Sequence, residues 1–328
     1  MVRILSSDEV RSLIDLEDVL DAVEETFAKQ RAGDVERPER PHYPVGKGLD
    51  AEDPDTPMGT ALVMPAYVHG SEHFATKLVS VHDGNPSRGL STVNAQITVN
   101  DASTGLPVAY MDGTFITSAR TGSIGGLTAR TFTEGPVTVG VIGAGTQARW
   151  QLRAIAAATE IDRIHWFDID ESVLAEGIDE LEGDIDAPIE AVDRADAAAS
   201  DVDILVTATT SPEPVFDGEA LTPGTVVVGI GAYTPEMQEI GSTTFERANV
   251  VYADVPTEVA TIGDVTGAGQ EVTDLVPFSD ALAGKSGRSD GTDIIVVESV
   301  GSAVMDAVTA NYVFERARAD DVGTDVTL

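Results

Sequence analysis

VTVGVIGAGTQARWQLRAIAAAT, running from Val137 to Thr159, is the stretch on which the fold turns. VTVGVIG is a short continuous apolar run, as in a strand buried on both faces. RWQLRAIAAAT reads as a helix. Between them lies Gly143-Ala144-Gly145-Thr146-Gln147-Ala148, which fits G-x-G-x-x-A. The first glycine allows a tight turn and the second lets backbone approach a pyrophosphate. The small Ala148 permits close helix–strand packing, and the helix N-terminus faces the phosphates. Any tight strand–helix turn can carry glycines, so the context matters. The next strand, RIHWFD, ends in Asp168, 25 positions after Gly143, where a ribose-binding acid belongs. Such an acid accepts hydrogen bonds from both ribose hydroxyls and repels a 2′-phosphate, favouring NAD over NADP. In so acidic a chain, Asp168 also reads as a solvated strand-end residue.

Downstream, strands and helices alternate: ESVLAEGIDEL as helix, then DILVTATT, TVVVGIGAY, NVVYADV and DIIVVESV as strands. That alternation predicts a doubly wound parallel sheet of the Rossmann type. GSAVMDAVTANYVFERARA closes the chain as a helix. Upstream the pattern differs. Residues 6–32 carry apolar positions at helical spacing, and RPERPHYPVGKGLDAEDPDTP (37–57) reads as a loop. TALVMPAYV, HFATKLVSVH, STVNAQITVND and PVAYMDG read as an antiparallel sheet, with a small-residue helix over 114–132. The fold class is α/β: a Rossmann domain plus an α+β domain.

The 328 residues suit two domains. They hold 56 Asp and Glu against 20 Lys and Arg, a net charge of −36, which argues against nucleic acid and anionic membranes as partners. The acids are dispersed along the chain, and only four lysines occur: Lys29, Lys47, Lys77 and Lys285. Dispersed acid with scarce lysine fits a halophilic cytoplasm, where molar salt shortens the Debye length to about 3 Å and screens self-repulsion. No cysteine is present, which excludes disulfides, zinc ribbons and thiolate nucleophiles. No apolar run approaches a membrane span, and MVRILSSDEV reaches acidic residues too early for a signal peptide, so the expectation is a cytoplasmic protein.

Lys77 sits inside an apolar strand of a protein with almost no lysine, which points to a need for a compact ammonium of adjustable pKa. Arg120, in ITSARTGSIGG, is suited to gripping a carboxylate bidentately, and Arg40 is a third cation in the same half. Three unrelated surface or ion-paired residues is the other reading. His69 and His73 are four apart but fall in a loop reading; HExxH and GxSxG do not occur, and no metal site is expected. Asp168 with Asp170 reads as one cofactor acid plus one solvated acid.

TKLVSVHDGNPSRGLSTVNAQITVNDASTGLPVAYMDGTFITSARTGSIGG (Thr76–Gly126), VTVGVIGAGTQA and VESVGSAVMDAVTANYVF together resemble the ornithine cyclodeaminase/mu-crystallin family over nearly the whole chain. That family includes archaeal-type alanine dehydrogenases and ketimine reductases. The resemblance implies a substrate-binding and dimerisation domain of residues 1–123 with 302–328, a Rossmann NAD-binding domain of residues 124–301, and a homodimer. It also implies roles. Arg40, Lys77 and Arg120 contact the substrate, with Lys77 and Arg120 catalytic and Arg120 also near the cofactor. Thr92, Gly143, Gly145, Thr146, Gln147, Asp168, Thr207, Thr209, Ile230 and Ser299 contact NAD, and Tyr233 and Val300 line the substrate side.

One departure bears on the reaction. Cyclodeaminases carry an Asp, in a G-D-x-P context, that handles the distal amine; this chain has Gly231-Ala232-Tyr233-Thr234-Pro235, so Tyr233 takes that place. A phenol with a reference pKa near 10 is no substitute for that carboxylate. Met237 stands where cyclodeaminases have a cofactor-contacting lysine, and Glu236 and Glu239 are the candidate replacement acids. The expected function is an NAD-dependent amino-acid dehydrogenase or ketimine reductase acting on a small amino, imino or keto acid. Ornithine cyclodeaminase and a non-enzymatic, mu-crystallin-like NAD-binding protein are the alternatives.

Overall fold

The computed structural model describes residues 1–82 and 84–327. The chain folds as two compact units, Met1–Asp15 with Lys29–Arg120 and Ala303–Leu328, and Leu16–Ala28 with Thr121–Ser302.

The first unit is built on one mixed sheet: β1 (Val2–Leu5), β2 (Val35–Glu36), β3 (His42–Val45), β4 (Gly59–Val68), β5 (His73–Val81), β6 (Val93–Asp101), β7 (Pro107–Asp112) and a last short strand, Thr324–Val326. The order is last strand–β1–β7–β6–β5–β4–β2, with β3 also on β4. β1 runs parallel to β7, and every other pair is antiparallel. β5 alternates strictly, burying His73, Ala75, Lys77 and Val79 on one face. A period of two assigns those residues to the core side, so Lys77 occupies a core position. The C-terminal helix, Ala303–Ala319, covers that face with Ala303, Ala307, Ala310 and Phe314.

Two expectations change here. The helix over 6–32 is two helices, α1 (Ser7–Leu13) and α2 (Leu16–Ala32). α1 starts on a capping box, in which Ser6 accepts from Glu9 N–H and Glu9 accepts from Ser6 N–H, and it stops where Ile14 turns extended. The apolar spacing runs across that break, so periodicity alone does not reveal it. The loop over 37–57 contains β3, whose Pro44 stands opposite Thr60. Among the described residues β3 pairs only with β4, and an edge strand tolerates proline. It is almost fully exposed, so no alternation marks it.

The second unit is a wholly parallel eight-stranded sheet. Its strands are β8 (Val137–Ile142), β9 (Ile161–Phe167), β10 (Ile189–Ala191), β11 (Ile204–Thr207), β12 (Val226–Gly229), β13 (Val250–Ala253), β14 (Leu275–Pro277) and β15 (Ile295–Glu298), ordered β10-β9-β8-β11-β12-β15-β13-β14. The winding reverses between β8 and β11, and open parallel sheets bind ligands at the strand C-termini beside such a reversal. β11, β12 and β15 are buried at every position, as expected of strands covered on both faces. α3 (Thr114–Phe132) approaches α4 (Thr146–Ala158) so closely that a Cβ on Gly126 would lie 2.7 Å from Ala154 O. The Gln151 side chain clasps the two: its Oε1 accepts from Gly125 N–H at 2.9 Å and its Nε2 donates to Thr121 O at 2.7 Å. The strands expected over 203–210 and 225–233 end at Thr207 and Gly229, leaving Ala208–Thr210 and Ile230–Tyr233 as loops at their C-terminal ends. Among the described residues no helix is long and apolar enough to cross a membrane.

Candidate active site

In the first unit the charges of Arg120 and Arg40 both reach Lys77, and a carboxylate joins Lys77 to Arg120. Lys77 Nζ is 2.7 Å from Asp306 Oδ2 and donates to Thr117 Oγ1 at 3.2 Å. Arg120 Nε donates to Asp306 Oδ1 at 2.8 Å. Lys77 and Asp306 are each 2% exposed and Arg120 6%. Among the described residues, the two terminal nitrogens of Arg120 make no hydrogen bond. Burial pushes the Lys77 ammonium down, Asp306 opposes the shift, and the charges of Arg120 and Arg40 add to it, leaving a pKa of about 8. Burial alone would raise the Asp306 carboxyl, but the Arg120 and Lys77 cations outweigh it and hold it below the usual range. Thr92 also belongs to this unit, half-buried, with its carbonyl accepting from His82 N–H at 2.9 Å.

In the second unit the glycine loop joins β8 to α4 as expected, although α4 begins at Thr146 rather than Arg149. Gly143 has φ +98°, and a Cβ there would lie 2.6 Å from Ala208 O, so the chain's own packing requires this glycine. Gly145 is different: it is the N-cap of α4, no side chain caps the helix, and a Cβ on it would meet nothing within 4 Å. Protein packing therefore does not require a glycine there. Asp168 directly follows β9. Its Oδ2 accepts from Ala144 N–H at 2.6 Å and its Oδ1 from Asp170 N–H at 2.8 Å. Each oxygen keeps a lone pair for another donor. Asp170 is not merely a solvated acid, because it caps α5 (Glu171–Leu181) by accepting from Ser172 and Val173 N–H.

The strand ends Thr207, Thr209, Ile230, Ser299 and Val300 are pinned largely by buried carboxylates whose task is not evident from sequence. Glu239, fully buried, accepts from Thr207 Oγ1 at 3.2 Å, from Gly231 N–H at 2.6 Å and from Thr209 N–H. Ile230 N–H donates to Thr207 O at 3.0 Å. Asp254 accepts from Ser299 Oγ at 2.7 Å, Gly301 N–H at 2.8 Å and Val300 N–H at 3.3 Å. Burial raises Glu239 to about 7 against the pull of these donors, with the Asp264 charge adding to the rise. Burial likewise raises Asp264 to about 6, and burial with three neighbouring acids drives Glu298 well above the usual range. Glu239 is thus committed to the fold of the strand ends. Glu236 and Tyr233 are both exposed, Tyr233 at 50%.

The family model described as ornithine cyclodeaminase/mu-crystallin matches residues 2–321. The chain belongs to that family. Among the family's members, it is 33% identical to the alanine dehydrogenase of Archaeoglobus fulgidus over 98% of this chain and 97% of that one. It is 28% identical to a Δ1-pyrroline-2-carboxylate reductase of Bacillus cereus, covering 98% of each. Among solved structures, Thermococcus litoralis Δ1-pyrroline-2-carboxylate reductase in complex with NADH and L-proline superposes with a TM-score of 0.92 at 32% identity, covering 99% of this chain and all of that one. An archaeal alanine dehydrogenase dimer with bound NAD gives 0.89 at 31% identity, covering 100% of this chain and 99% of that one. The α/β class with a Rossmann sheet is that of these family enzymes.

Asp306 is the residue of the first unit's cluster that sequence reasoning missed. The available signal was a lone acid inside the apolar run GSAVMDAVTANYVF, since a buried acid almost always has a partner.

Proposed function

We propose that this family member is an NAD(H)-dependent oxidoreductase that interconverts a small amino acid with its imine, either as an alanine dehydrogenase or as a cyclic-imine (ketimine) reductase. The observation that carries the reading is the buried Lys77 held beside an arginine whose terminal nitrogens make no hydrogen bond among the described residues. Arg120 and Arg40 take the substrate carboxylate, which orients the carbon–nitrogen centre and supplies much of the rate by positioning. Lys77, with a pKa of about 8, holds or releases a proton at Nζ near neutral pH and serves as the general acid or base at the substrate nitrogen. Gly143, Gly145, Thr146 and Gln147 are assigned to the pyrophosphate and Asp168 to the adenosine ribose. Thr92, Arg120, Thr207, Thr209, Ile230 and Ser299 are assigned to the rest of the dinucleotide. Val300 and Tyr233 are assigned to the substrate side. The bound nicotinamide supplies or accepts the hydride. A homodimer, and work in concentrated salt in a cytoplasm, belong to the same proposal.

Ornithine cyclisation is disfavoured because Glu239 is already occupied by three donors and Tyr233 offers no carboxylate. The test is NADH oxidation with Δ1-pyrroline-2-carboxylate, Δ1-piperideine-2-carboxylate and pyruvate plus ammonium. At least one should turn over; inactivity with all three, in buffer that keeps the protein folded, contradicts the reading.

Cofactor choice is a separate prediction. NADH should outperform NADPH, because Asp168 repels a 2′-phosphate. Asp168→Ser should narrow the gap between the two cofactors, measured as the ratio of their kcat/KM values. An unsubstituted enzyme working better with NADPH contradicts the assignment of Asp168.

A further inference from the structure

The C-terminal helix fills the core of the first unit with Ala303, Val304, Ala307, Ala310 and Val313, and it carries Asp306 in the same run. A carboxylate this deeply buried persists only when it is paired. Its pairing is divided between two other elements, with Oδ2 on Lys77 of β5 and Oδ1 on Arg120 of α3. Two like charges at one buried place repel, and the carboxylate between them offsets that repulsion. Lys77 has three N–H donors. Thr117 accepts one, Asp306 Oδ2 lies 2.7 Å from Nζ, and on β4 and β6 the residues opposite Lys77 are the apolar Met64 and Ile97. Among the described residues, Lys77 Nζ has no partner beyond these and the two terminal nitrogens of Arg120 make no hydrogen bond, so donors remain on two cations that share one anion.

We propose that Asp306 is the positioning residue of this site: its carboxylate clasps Lys77 and Arg120, one oxygen to each, so that their remaining donors act together on an anionic substrate. The proposal rests on the first unit being the substrate-binding one. The clasp leaves one uncompensated positive charge, which a substrate monocarboxylate matches. It also fixes the direction of the remaining Lys77 proton. The charged and polar groups around Lys77 are Asp306 from the C-terminal helix, Arg120 and Thr117 from α3, and Arg40 from the segment before β3. Of these Asp306 is the one anion, and removing it destabilises the ammonium.

With only four lysines in the chain, the side chains are resolvable by NMR of lysine-labelled protein, and Lys77→Met identifies the Lys77 signal. In the unsubstituted protein that signal should titrate near pH 8. In Asp306→Asn its midpoint should fall by about one pH unit or more, while the other three lysines stay put. An unchanged or higher Lys77 midpoint in folded Asp306→Asn overturns the proposal. Should that variant fail to fold, the unsubstituted protein decides: at neutral pH the Lys77 ammonium should show a through-hydrogen-bond coupling to a carboxylate carbon, and its absence overturns the clasp. In steady state, Asp306→Asn should raise KM for the carboxylate substrate and lower kcat. A shifted Lys77 midpoint with unaltered turnover supports the clasp and instead refutes the catalytic role given to Lys77.

Discussion

Lys77→Ala should lower turnover by about 10²–10⁴-fold, the span of a lost general acid or base, while NADH affinity stays near that of the unsubstituted protein. The lysine belongs to the first unit, whereas the glycine loop and Asp168 belong to the second. Lys77→Arg should fail as well. A guanidinium stays protonated and does not release a proton near neutral pH, and the larger head must fit opposite Met64 and Ile97. Removing the lysine leaves Asp306 with Arg120 as its cation, so each variant's folding is checked by thermal melting before its activity is read. Substantial activity in a folded Lys77 variant shows that the residue serves only structure.

A second large effect is expected in salt. Cooperative melting should be lost below about molar KCl, with the midpoint rising through a KCl series, because screening must offset a charge of −36. The acids crowd outward: Asp50, Glu52, Asp53 and Asp55 are all exposed, as are Glu182, Asp184, Asp186 and Glu190. Salt also weakens favourable surface pairs such as Arg149–Glu180 and Arg153–Asp184. Each of those is worth only about 0–1 kcal/mol, so relief of repulsion dominates. The buried Lys77–Asp306–Arg120 cluster is screened far less. A midpoint that does not move between dilute buffer and molar KCl contradicts the halophilic reading.

The second unit was legible because its signals are local. The turn from Val137 to Ala148 carries strand, glycines and helix start in one stretch, and burial on both faces writes each central strand as an apolar run. The first unit was legible where alternation was strict, as in β5, where it placed Lys77. Other features are set by partners distant in sequence. β1 is four residues long and takes its place from pairing with residues 324–326 at the far end of the chain. β3 is too exposed to alternate. Asp306 reads as one polar residue in an apolar helix until Arg120, 186 positions away, is brought to it. Glu239 stands out in the sequence for its position near Tyr233, but sequence does not reveal that three donors already hold it.

Substrate chemistry separates the two enzymatic readings. Cyclising ornithine needs a neutral δ-amine, whose free pKa lies near that of lysine, about 10.4, and hence a nearby carboxylate to anchor it and accept its proton. Tyr233 is half exposed and offers no carboxylate, and Glu239 is engaged by three donors, which leaves the exposed Glu236 as the remaining candidate acid. The direct test of net redox turnover is the amount of NADH consumed per product formed, followed by absorbance alongside amino-acid analysis. The structure predicts one NADH per amino acid formed from a cyclic imine acid or from pyruvate with ammonium, and no efficient proline formation from ornithine. Efficient release of ammonia and proline from ornithine with no net change in NADH would contradict it.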